Sequence, residues 1–208
     1  MSNTFYNYII GACLILFVGC TPSMEYKYQN KPKVVSCDGL DSDLMHEALY
    51  SFEDDIETYY NIRKMEPGSQ ISIQYGYSNF VYLGARGEAD YAGITTEHSR
   101  EVFRVLKSDT DLYIQENGTI QLDYNHPFVQ CLISKIQNQE IKSTMQSLIG
   151  VGSMSSDIIA SPIRINSRDA VPDKYFAMYL ALDTYYKFLD QEPREPVKTE
   201  SNHQDHDH

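Results

Sequence analysis

The sequence predicts an all-α body, an antiparallel bundle of about five or six helices, followed by a disordered C-terminal tail. Three observations lead there. Apolar residues recur at helical spacing in separate stretches between residues 41 and 190. Capping side chains, prolines and glycines punctuate the ends of those stretches. The chain has 208 residues, 42% of them hydrophobic, which is enough for one core domain with appendages. Net charge is −12, which disfavours nucleic-acid binding and electrostatic adhesion to anionic lipid. Tyrosine is abundant, at 17 residues with no Trp, and suits a core in which rings are buried while hydroxyls stay near polar partners.

Residues 1–19 carry no charged side chain, and Tyr8 to Gly19 form an apolar run of 12 residues. A spanning helix needs about 20, so the run has the length of a signal-peptide core. Phe17-Val18-Gly19-Cys20 then places a small residue directly before a cysteine. This resembles the lipobox of bacterial lipoproteins, although Phe17 stands where that motif usually has Leu and Met1 to Asn7 lack Lys and Arg. The resemblance implies cleavage before Cys20, acylation of its thiol and a membrane-held mature protein on the extracytoplasmic side of the cell envelope. Residues 20–40, with two prolines and three lysines between Thr21 and Ser36, read as a tether lifting the body off the bilayer.

In the helical domain, residues 41–190, Asp41-Ser42-Asp43 offer caps for a helix carrying Leu44, Ala48, Leu49, Phe52 and Ile56, with Glu53, Asp54 and Glu57 expected on a solvated face. Pro67-Gly68 ends it. Ser69 to Arg86 fits a strand by its alternation at Ile71, Ile73, Tyr75 and Tyr77, and a helix by Ile71, Tyr75 and Tyr82; its helical neighbours favour the helix. Thr95/Thr96 cap a helix with Val102, Phe103 and Leu106. Asp109 to Tyr124 reads as a loop with a short extended pair around Asn117-Gly118. Pro127 opens a helix with Phe128, Val129, Leu132, Ile133 and Ile136; Asn138 breaks it before Ile141, Met145, Leu148 and Ile149. Ser153 to Ser167 reads as polar and irregular, with one turn at Ser156–Ala160 and an interruption at Pro162. The last helix begins near Pro172, with Tyr175, Tyr179, Leu182, Tyr186 and Leu189 as its stripe.

The strings LDYNHPFVQCLISKIQNQEIKSTMQSLI, SMSSDIIASPIR and DKYFAMYLALDTYY resemble parts of a family of small lipoproteins of Bacteroidetes-type bacteria. The resemblance spans roughly residues 41–190. It implies a helical body and a lipid anchor, and no functional residues carry over from it.

Of four cysteines, Cys13 falls in the segment expected to be removed and Cys20 is the anchor. Cys37 and Cys131 remain, an even pair in an oxidising compartment, and are read as a disulfide in preference to two buried thiols. His46-Glu47 begins like a zinc-protease helix, but position 50 is Tyr, so a second ligand is missing and a solvated helix face is expected. Gly150-Val151-Gly152-Ser153 lacks the third glycine of a dinucleotide loop. The tail, residues 191–208, ends in His203, Asp205, His206, Asp207 and His208, whose imidazoles and carboxylates suit Zn²⁺ or another divalent transition metal. No other cofactor is expected. The function expected is a lipid-anchored, non-enzymatic interaction or structural module with an unidentified protein or small-molecule partner. The alternative is a lipoprotein binding a ligand in a Tyr-rich pocket or a metal on its tail.

Overall fold

The computed structural model describes residues 24–116 and 118–189. The body is predominantly helical, with eight α-helices and one β-hairpin among the described residues. The body roughly fits the all-α expectation, with the extended pair expected in the 109–124 loop present as a small two-stranded hairpin, and the helices are more numerous than the five or six read from periodicity.

Helix α1, Ser42–Tyr60, starts where the Asp41 carboxylate accepts the amides of Asp43 and Leu44. Helix α2, Gln70–Gly84, is capped by Ser69, so the ambiguous stretch is helical. Gly76 lets α2 approach α1 closely, because a Cβ there would lie 3.2 Å from the Glu57 Cα and N. Glu57, Glu53 and Phe52 face Gly76, Tyr77 and Phe80 in turn, so α2 runs antiparallel to α1. A one-turn helix α3, Tyr91–Ile94, leads to α4, Glu97–Asp109, capped by Thr96 and also antiparallel to α1.

Strands β1, Tyr113–Glu116, and β2, Thr119–Leu122, pair antiparallel with Glu116 opposite Thr119. Gly118 supplies the positive φ the turn requires, at 79°. Helix α5, Pro127–Lys135, takes proline in its first turn, and α6, Gln139–Gly150, is capped by Asn138.

The stretch expected to be irregular contains α7, Ser156–Ile165. Pro162 sits inside it and cannot donate to the Ile158 carbonyl. Ile158 lies on the exposed face, 52% exposed, and the helix continues past the proline, burying Ile159, Ala160 and Ile163.

The final element starts at Asp173, which caps α8, Lys174–Leu180. It continues through a π-helical turn, Ala181–Tyr185, and a 3-10 turn, Tyr186–Phe188. A single apolar stripe was expected here, yet every residue from Phe176 to Lys187 is buried. This segment and α1, with 13 of 19 residues buried, form the two central rods of the core.

The segment expected to be a free tether is docked. Met24 is 8% exposed and belongs to the core cluster, and residues 26–37 lie along α1 toward α5. The described part of the body therefore begins at residue 24, ahead of the boundary at 41 read from the sequence. No described helix is long and apolar enough to cross a membrane.

Candidate functional site

The acidic face expected on α1 is buried, and its carboxylates join the segments of the fold. Glu47 is fully buried. Its Oε1 accepts the Lys27 amide at 2.6 Å and the His98 Nε2–H at 2.6 Å, and its Oε2 accepts the Tyr28 amide at 3.1 Å. Glu53 accepts the Tyr77 hydroxyl at 2.8 Å and pairs with Lys174 at 2.5 Å. Asp55 accepts the Thr96 amide at 3.1 Å and the Tyr185 hydroxyl. Glu57 accepts the Gly68 amide at 2.6 Å. Only Asp54 of this group is exposed, and it takes the Tyr28 hydroxyl at 3.0 Å. A carboxylate leaves water only where donors replace the solvent, and each donor here comes from another part of the chain.

His46 is buried beside Glu47, which corrects the solvated-face expectation. Its Nε2–H donates to the Tyr28 carbonyl at 2.7 Å, and its ring packs edge-on against Tyr50. The Tyr50 hydroxyl donates to the Pro32 carbonyl at 2.9 Å, and Lys31 lies over the Tyr28 and Tyr50 rings at 5.2 and 4.7 Å. Glu47, His46 and Tyr50 thus hold a segment with a turn at Tyr28–Lys31 largely through its backbone, as a receptor would hold a peptide ligand. The zinc-protease outline in the sequence is the latch of this strap.

A second constellation surrounds Asp183 in the π-helical turn. Fully buried, it accepts hydroxyls from Tyr124 at 2.9 Å, Tyr179 at 2.9 Å and Ser156 at 3.0 Å, and pairs with Lys187 at 3.0 Å. Lys187 also donates to the Ser156 Oγ. Serine beside lysine has the outline of a nucleophile with its base. Here Lys187 donates hydrogen bonds to both Asp183 and the Ser156 Oγ, and Ser156 donates on to Asp183, so all three side chains are engaged with one another. The cluster is a polar pin between the turn after β2, α7 and the C-terminal rod. The carbonyls of the π turn are met by tyrosines as well: Leu182 accepts from Tyr113 at 3.1 Å and Thr184 from Tyr91 at 2.9 Å.

Tyrosine-to-carboxylate bonds recur throughout the core, and they raise the tyrosine pKa values. Burial first, then Asp183, pushes up Tyr179 and Tyr124; burial and Glu53 do so for Tyr77, and burial and Asp55 for Tyr185. Tyr60 is raised to about 12, mainly by burial. At the surface, a hydrogen bond from His126 lowers the pKa of Asp111.

Cys37 and Cys131 are joined as a disulfide with Cα atoms 5.9 Å apart, fixing the far end of the strap to α5. Cys20, His203, Asp205, His206, Asp207 and His208 lie outside the described residues. Among the described residues, no three or more His, Cys, Asp or Glu side chains are placed to hold a metal. The sequence reading missed Lys187, Asp183 and His98, and set Ser156 aside as a serine without identifiable partners. Lys187 and Asp183 at i, i+4 were the available signal, hidden because that spacing usually marks an exposed pair.

No family model, curated protein or solved structure matches this chain.

Proposed function

We propose that this is a lipid-anchored protein of the bacterial cell envelope, serving as a non-enzymatic interaction or structural module. The observation carrying this reading is the apolar run Tyr8–Gly19 ending at Cys20. The Cys37–Cys131 disulfide supports it, since such bonds persist in oxidising compartments. The engagement of the buried carboxylates supports a structural role, since Glu47, Glu53, Asp55, Glu57 and Asp183 each hold segments together. On this reading α2 and α4, antiparallel to α1, belong to an antiparallel helical bundle around α1 and the C-terminal rod. Metabolic labelling with a fatty-acid analogue, wild type against Cys20→Ser, is the test. Label is expected in the wild type alone; undiminished label in the variant rejects the anchor.

One observation favours binding as a second reading. A groove of about 490 Å³ along α4 is lined by Arg100, Arg104 and Lys107 over Phe103 and Leu189, a basic and apolar surface in an acidic chain. It suits a small anionic molecule with an apolar part. The tail residues His203 to His208 are proposed to bind Zn²⁺; a zinc titration of the intact chain and of one ending at Asp190 tests this, and equal affinity excludes the tail.

A further inference from the structure

We propose that Met24–Cys37 is a docked strap that holds the body close against the lipid surface, with the side where Met24 enters the core facing the bilayer. This rests on the reading of Cys20 as the lipid-bearing residue. From residue 20 to residue 24 there are four Cα steps, which span at most about 14 Å in any conformation. Met24 is 8% exposed in the core, so the acylated residue cannot stand farther than this from the folded body. Were the chain free as far as Cys37, seventeen steps would reach about 60 Å. Docking therefore shortens the maximum reach about fourfold.

The strap is held at both ends and in the middle. Met24 is inserted at one end and Cys37 is bonded to Cys131 at the other. Between them Glu47 takes two strap amides, while His46 and Tyr50 donate to two strap carbonyls. Undocking removes two of the three donors of a fully buried carboxylate, so the short standoff is the resting state. The disulfide sets the limit of release, because force along the chain can peel the strap only as far as Cys37.

Tyr26, Leu44, Val105, Asp41 and Asp109 line a cleft of about 300 Å³ beside the strap, and the strap carries three exposed lysines, Lys27, Lys31 and Lys33. This mixture of charges gives no single-sign attraction to anionic headgroups, so the covalent strap sets the distance. The partner that this arrangement fits is one lying in or next to the headgroup layer.

The test uses the full-length, natively acylated protein reconstituted in a supported bilayer. Neutron reflectometry reads the gap between headgroups and protein body, and hydrogen exchange reads the Tyr28 amide. Wild type is expected to show a gap no wider than about 14 Å and a protected amide. Met24→Asp and Lys27→Pro each break one strap contact with the body; each should widen the gap by more than about 10 Å, within the reach of a strap freed to Cys37, and expose the Tyr28 amide. A wider gap in the wild type, an unprotected Tyr28 amide in the wild type, or an unchanged gap in a variant whose amide exchanges freely overturns the proposal. Failure of the anchor reading looks different: protein is absent from the bilayer while the Tyr28 amide stays protected in solution. That result rejects the standoff together with the anchor and leaves only the docking.

Discussion

Glu47 and Asp183 are both fully buried carboxylates, yet they are neutralised in opposite ways. Asp183 has its counter-charge one turn away on the same rod, in Lys187, and adds three hydroxyls from Tyr124, Ser156 and Tyr179. Glu47 relies, among the described residues, on two backbone amides of the strap and on His98 of α4. The first cluster is assembled largely when the C-terminal rod forms. The second is complete only when a segment about 20 residues upstream comes back to α1. A carboxylate with a local cation pins a core, whereas one satisfied by a remote backbone acts as a latch that strap displacement opens.

Four experiments break or sharpen this contrast. Lys187→Met should have the largest effect, about 3–5 kcal/mol in urea unfolding, because it leaves the Asp183 charge buried without its cation. Pairing it with Asp183→Leu should recover most of the loss; if the double variant is as unstable as the single one, packing and not charge is decisive. Cys131→Ser should cost about 4 kcal/mol in the chain-entropy model, given the 94-residue separation of the pair. Its loss should appear first as faster exchange in the strap.

Glu47→Gln should cost less, about 1.5–3 kcal/mol, since a neutral amide oxygen still accepts part of the network. It should release the Tyr28 amide to exchange, whereas Lys187→Met should leave that amide protected within the native state. Equal protection in both variants would erase the distinction between pin and latch.

The smallest effect near neutrality concerns the tyrosines. Tyr77, Tyr179, Tyr185 and Tyr186 have pKa values raised by burial above their ordinary value of about 10. A raised folded-state value means the stabilisation is complete below about pH 10 and is lost as pH rises through the folded-state values. Tyrosinate absorbance should therefore rise in two phases. The buried rings contribute only together with loss of helical circular dichroism. Smooth titration of all tyrosines with the fold intact would show that the core hydroxyls are not committed to their carboxylates.

Much of the helical framework was legible because helix periodicity and capping are local. Asp41, Ser69, Thr96, Pro127 and Asn138 start helices where their side chains or ring geometry suit a first turn. The hairpin was legible as a turn signal but not as a departure from an all-α body. Helix α7 was hidden by Pro162, which removes one backbone donor without ending the helix. The acids of α1 were misread for a different reason. Their donors lie 11 to 130 residues away, and a lone carboxylate in a helix gives no sign of whether remote donors will reach it.

The sequence by itself determined the helical character, most helix starts, the disulfide candidates and the apolar run before Cys20, because each depends on neighbours along the chain or on residue chemistry alone. Tertiary structure decided which polar groups leave water. It turned an apparent metal motif into the Glu47 latch, a presumed acidic surface into the joints of the core, and an expected tether into a docked strap. The reason is energetic: burying a carboxylate or a bare backbone costs several kcal/mol unless donors are supplied, and only the folded chain brings Lys27, Tyr28 and His98 to Glu47.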